Sequence, residues 1–154
     1  MAAAAWKVYG NAVEMIGDNT VDLDQGDAYF RMALVTASYT PNQSTDAAWS
    51  SISTNEVANG NGYTTHGASM TSVTWVQASL VCTFDCGDVS WTSSTITAKY
   101  AVIVHDANAD GSLAAGDVPI CYSDLNDGGG SVSSSSGPFN VNINASGVFT
   151  ITAS

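Results

Sequence analysis

The chain has 154 residues, 45% of them hydrophobic and 11% charged, with three Lys and Arg against fourteen Asp and Glu and a formal net charge of -11. That length suits one domain with a core of its own, and the hydrophobic fraction excludes a disordered chain. Lys7, Arg31 and Lys99 cannot supply the clustered positive charge that nucleic acid or an anionic membrane surface requires, so neither is expected as a partner.

In chain order, residues 2–16 read as a helix. The alanines have the highest helix propensity, Trp6, Tyr9, Val13 and Ile16 share a face, and Gly17 offers a left-handed stop. That stripe can pack on its own domain, or the helix can dock as an arm on a neighbour. Residues 20–23 and 29–36 then read as a hairpin across the turn-forming residues 24–27. Residues 39–44 form a loop broken by Pro41, Thr45 is placed to cap a helical turn over 46–49, and residues 59–62 (NGNG) make a turn. Apolar residues alternating with polar ones predict strands over 70–76, 80–84 and 89–91. Residues 96–104, with few polar breaks, read as the central strand of a sheet. Strands over 120–123, 139–143 and 148–152 follow, and the Gly/Ser-rich stretch 128–137 reads as a flexible surface loop.

Eight or so short strands with regular turn signals indicate a mainly β, single-domain antiparallel sandwich or jelly-roll-like fold with a short N-terminal helix. The division expected is an N-terminal helix or arm over 1–17 and a β-sandwich over 18–154. Cys82, Cys86 and Cys121 lack metal-site or paired spacing and read as reduced thiols, with Cys82 and Cys86 on one face. The start, interrupted by Lys7, Asn11 and Glu14, does not read as a signal peptide, and no segment is apolar enough to span a bilayer. Synthesis in a cytoplasm is therefore expected.

One stretch carries recognisable chemistry. Residues 106–117 (DANADGSLAAGD) match a twelve-position calcium loop of the EF-hand and dockerin kind. Asp106, Asn108 and Asp110 stand at positions one, three and five, Gly111 allows the sharp turn, the Ser112 carbonyl adds an oxygen, and Asp117 closes the shell. Leu113 would anchor the loop in the core. The flanking apolar runs fit a hairpin better than two helices, so a plain Asp/Asn/Gly turn stands beside the structural Ca²⁺ reading. No cofactor is required by either.

Catalytic signatures are absent from the text of the chain. His66 and His105 have no nucleophile partner at a known spacing, and no pair of carboxylates is singled out among Glu14, Glu56 and the aspartates. The expectation is a protein that is not an enzyme. Trp49, Trp75, Trp91, Tyr63 and Tyr122 would suit a calcium-stabilised carbohydrate-binding module if their rings were exposed.

Several segments together carry a family likeness: residues 5–9 (AWKVY), 16–18 (IGD) with 21–24 (VDLD), 30–41 (FRMALVTASYTP), 55–63 (NEVANGNGY), 73–75 (VTW), 97–103 (TAKYAVI) and 147–151 (GVFTI). Over nearly its whole length the chain resembles small virion proteins of tailed bacteriophages, among them capsid decoration, or cement, proteins. The resemblance implies a homo-oligomer, with a trimer favoured, that binds the major capsid protein lattice on the outer surface of the head and stabilises it. Trp6, Tyr9 and Val13 of the N-terminal helix are then the first candidates for the contact, and the loop near Ser131 is the second. A tail, baseplate or fibre-base component is the alternative within the same particle.

Overall fold

The computed structural model describes residues 3–153. Its centre is a five-stranded antiparallel sheet of β1 (Lys7–Val8), β2 (Phe30–Val35), β3 (Ala68–Ser69), β8 (Tyr100–His105) and β9 (Val118–Asp124), in the order β1-β9-β8-β2-β3. Every residue of β2 is buried, as are five of the six in β8. Both faces of these strands are therefore covered, which is why they read as continuous apolar runs rather than alternating ones. Met32 lies opposite Ile103, and Ile103 opposite Cys121. The register slips between Ile103 and Val104, where Pro119 sits in β9, since a proline cannot donate to a regular ladder.

Among the described residues there are three smaller sheets. β4 (Thr74–Ala78), β5 (Val81–Asp85) and β12 (Phe149–Thr152) form one, in the order β12-β5-β4. β6 (Val89–Ser94) pairs with β11 (Gly137–Val141), and β7 (Thr97–Ala98) with β10 (Val132–Ser133). Phe84 joins the three-stranded sheet to the central one, its ring centroid 5.4 Å from Phe30 and 5.3 Å from Phe149. Trp91 stands between Tyr63 and Phe139 at 5.9 and 6.2 Å. All these rings belong to one hydrophobic core, so the fold is a mainly β, sandwich-like single domain, as the strand periodicity indicates.

The N-terminus departs from its expected form. The helix α1 spans Gly10–Gly17, and β1 precedes it as an edge strand of the central sheet, with Lys7 opposite Tyr122 and Val8 opposite Cys121. Ala4 N–H donates to the Asp124 carbonyl, and Ser123 Oγ donates to the Ala4 carbonyl. These pairings hold the segment extended and override the helix propensity of its alanines; Ala2 lies outside the described residues. The segment is thus woven into the domain rather than set apart over 1–17. The left-handed residue beyond the helix is Asn19, at φ 64°, and not Gly17.

The expected first hairpin is also replaced. Both edges of β2 are taken, by β8 and β3, which leaves no place for a strand over 20–23. Val21 and Leu23 are buried, but from a loop in which Asp22 accepts the Asp24 N–H. The short helical turn lies at Trp49–Ser51, without a side-chain cap, and Asp46 rather than Thr45 organises its approach by accepting the Asn42 N–H. Lys99 divides the predicted strand over 96–104 into β7 and β8. The stretch 128–137 is pinned by β10, by Ser134 Oγ 2.8 Å from Ser94 Oγ, and by the Ile96 N–H donating to Ser134 Oγ.

Candidate functional site

The loop from β8 to β9 contains the calcium-like stretch. Asp106 is fully buried, and its Oδ2 accepts the Gly111 N–H at 3.0 Å across the loop. Gly111 adopts φ +81°, the left-handed turn expected of the sixth position. Asp117, also buried, accepts from Ala114 N–H at 2.7 Å and from Ala107 N–H at 3.4 Å. Asp110 accepts the Ser112 N–H, and Asn108, Asp110 and Ser112 are all exposed. Leu113 is the buried anchor, its N–H donating to His66 Nδ1 at 2.9 Å. Outside the loop, Trp49 N–H donates to the Asp117 carbonyl and Asp106 N–H to the Tyr29 carbonyl. The structure thus draws Asp106 and Asp117 inside and leaves the other three residues at the rim. Among the described residues no three His, Cys, Asp or Glu side chains are grouped to hold a metal ion.

His105 ends β8 beside this loop. Burial pushes its pKa below the ordinary value, against the opposing pull of Asp117, Asp106 and Asp22. Its Nε2 lies 2.8 Å from Gln25 Oε1, and Tyr29 and Phe30 flank the ring. These contacts make it a packed residue.

A second polar cluster, which sequence reasoning missed, holds residues 56–69 against β2. Arg31 donates from Nε to the His66 carbonyl, from Nη2 to the Gly67 carbonyl and from Nη1 to Ser69 Oγ. Glu56 Oε1 accepts from Tyr63 OH at 2.7 Å and from His66 N–H at 2.6 Å. Burial raises the Glu56 carboxyl above its usual value, and these two donors oppose the rise. Tyr63 OH in turn accepts the Leu34 N–H. Residues separated by about thirty positions meet here only because β3 returns beside β2, so no local spacing could have revealed them. Lys99 is likewise consumed internally, by Asp124 Oδ1 at 2.8 Å. Two of the three basic side chains are therefore buried in the domain.

The expected contact residues do not form one face. Tyr9 is fully buried, its hydroxyl 2.8 Å from that of Tyr39 and its ring 5.3 Å from Tyr122. Trp6 is half-buried in front of β1, and Val13 alone is exposed, at 54%. The helical stripe that grouped them assumed a helix that does not extend through Trp6 and Tyr9. The other exposed large hydrophobic residues, Val76, Leu80 and Ile151, are all carried by the three-stranded sheet and its β4–β5 turn. Val76 and Ile151 project from opposite faces of that sheet, and Leu80, in the β4–β5 turn, is 65% exposed. Phe84 anchors the near end in the core, so the far end is a two-faced apolar tip bounded by the edge strand β4. Adjacent apolar residues in one strand, Trp75 and Val76, were the available signal.

The aromatic residues considered for sugar stacking face inward. Trp49, Trp91, Tyr63 and Tyr122 are all buried and Trp75 is half-buried against Phe149. Cys86 and Cys121 are buried and Cys82 half-buried, all three free; Cys86 lies beyond the end of β5 rather than on it. Burial pushes the Cys86 thiol up to about 12, helped by Asp85, Asp88 and Asp27, and raises Cys121 well above the ordinary range. A groove of about 710 Å³ between Ala3–Trp6 and the 142–148 segment has no titratable side chain in its lining, and neither does a second of about 300 Å³ near Phe139. No family model, curated protein or solved structure matches this chain.

Proposed function

We propose that the chain is a structural protein of a tailed-phage particle, a decoration protein that clamps the major capsid protein lattice from outside and stabilises the head. The observation that carries this reading is the apolar end, with Val76, Leu80 and Ile151, of a sheet whose two edge strands, β4 and β12, have no outer partner among the described residues. An exposed apolar edge in a chain of this size invites pairing with another protein. The surrounding surface is mainly neutral Ser, Thr, Asn and Gln, which suits packing against a scaffold. Burial of the His105 imidazole and of the Cys86 and Cys121 thiols within the packing fits an adhesive task. The sequence likeness supplies the identity of the lattice.

The tip, rather than the N-terminal helix, is the surface assigned to the contact. Binding of the purified chain to undecorated heads tests this. Leu80→Ser with Val76→Ser should weaken binding at least about tenfold, because two apolar side chains lose their burial at the interface. Retention of full binding by the double variant removes the tip from the contact. Failure of the unaltered chain to bind heads at all removes the function.

A further inference from the structure

We propose that the loop between β8 and β9 is a divalent-cation site, built from oxygen donors around Asp106 and Asp117 and suited to Ca²⁺. This goes beyond the adhesive role and does not depend on it. The decisive observation is Asp106 Oδ1, the one buried side-chain nitrogen or oxygen among the described residues that has no hydrogen-bond partner. Its sister oxygen is fixed by the Gly111 N–H, so the carboxylate lies within the turn of the loop. A buried acceptor left without a donor is costly, and native structures rarely keep one unless an ion or water completes it.

Charge points the same way. Asp106 and Asp117 are both buried, yet the ion pair found among the described residues is Lys99 with Asp124. Arg31 Nη1 lies near Gly111, but the guanidinium is committed to the His66 and Gly67 carbonyls and to Ser69 Oγ. Two desolvated carboxylates at the two ends of one loop are thus without a protein cation, and a bound cation offsets that cost.

The donor chemistry selects the metal. Asn108, Asp110 and the Ser112 carbonyl lie on the same loop and offer further oxygens. One nitrogen of each nearby imidazole is engaged, His66 Nδ1 by Leu113 N–H and His105 Nε2 by Gln25, and no three His, Cys, Asp or Glu side chains are grouped among the described residues. Cysteine is absent from the loop. An all-oxygen set on a long, partly exposed loop favours Ca²⁺ over Zn²⁺, and over Mg²⁺ with its strict octahedron. With no three acidic or imidazole side chains gathered, neutral oxygens must complete the shell, which places the dissociation constant on the order of 10⁻⁴ to 10⁻³ M.

Melting curves in chelator and in rising Ca²⁺, with Mg²⁺ as comparison, test the site. Tb³⁺ luminescence excited through the tryptophans adds a direct readout, since Trp49 adjoins Asp117. At a hundredfold excess over its dissociation constant, Ca²⁺ should raise Tm by roughly 5–10 °C. Asp106→Asn keeps an acceptor for Gly111 N–H and should weaken Ca²⁺ and Tb³⁺ binding at least about tenfold. Asp110→Asn, at an exposed position, should do the same without risk to folding, and Asp127→Asn outside the loop should change nothing. No response to about 10 mM Ca²⁺ overturns the site. So does an equal response in Asp106→Asn, Asp110→Asn and the unaltered chain.

Discussion

The Tyr9 hydroxyl lies 2.8 Å from the Tyr39 hydroxyl inside the core, and Tyr39 passes its own proton to Asp46 Oδ2 at 2.6 Å. Because a carboxylate only accepts, Tyr39 must accept from Tyr9, and the three groups form a directed chain. It joins the residue between β1 and α1 to the 39–46 loop, and so ties the N-terminal segment to the body. Removing the middle member should hurt most. Tyr39→Phe strands a buried Tyr9 donor and should cost about 2–3 kcal/mol, whereas Tyr9→Phe should cost about 1 kcal/mol. Urea unfolding of both variants measures the order.

Gly67 adopts φ +70°, and a Cβ there would collide with the Met32 carbonyl oxygen. That neighbour is backbone of a central strand and cannot step aside. Gly67→Ala should therefore destabilise by more than about 3 kcal/mol, far beyond the usual cost of an alanine at a left-handed position. By contrast, Gly116→Ala meets open space and should be nearly neutral. Paired thermal melts of the two variants check the contrast.

Asp124 supplies a pH dependence with a defined sign. Burial works to raise its pKa, but the Lys99 hydrogen bond, with N–H donors from Asn126 and Gly128, outweighs burial and holds it below 3.8. A depressed carboxyl binds fewer protons when folded than when unfolded. The stability it contributes is complete above about pH 3.8 and is lost as pH falls from there through the folded value. Asp124→Asn should flatten the acid limb of the stability curve below pH 4 while leaving its shape near neutrality unchanged. Denaturant midpoints across that range provide the measurement.

Strand text was legible in this chain wherever one element decides its own form. Trp75, Phe84 and Trp91 lie in strands where alternation placed them, and the uninterrupted apolar run around Val102 marked the middle of the central sheet. What escaped was set by partners distant in sequence. Lys7 and Val8 are strand because Tyr122 and Cys121 pair with them, although their alanine neighbours favour helix. Val21 and Leu23 alternate correctly but find both edges of β2 already taken. Within the loop 106–117 the motif located the turn glycine and the buried leucine, while the unpartnered Asp106 oxygen became visible only with the packing around it. The Arg31 cluster is of the same kind, since its acceptors lie more than thirty residues away.

The apolar tip makes a prediction about the free protein as well. With Val76 and Leu80 exposed on and beside the edge strand β4, and Ile151 exposed on the other edge strand β12, the chain should self-associate at high concentration. Leu80→Ser should lower that tendency while costing less than about 0.5 kcal/mol, because a side chain already 65% exposed contributes little to the fold. Sedimentation velocity of both proteins over a range of concentrations measures the effect.

A density map of intact particles tests the adhesive role most directly. The account predicts this chain in hundreds of copies on the outer surface of the head, with the Val76 to Leu80 end of its three-stranded sheet seated on the capsid lattice. Particles that lack the chain, or that carry it only in the tail, would contradict it.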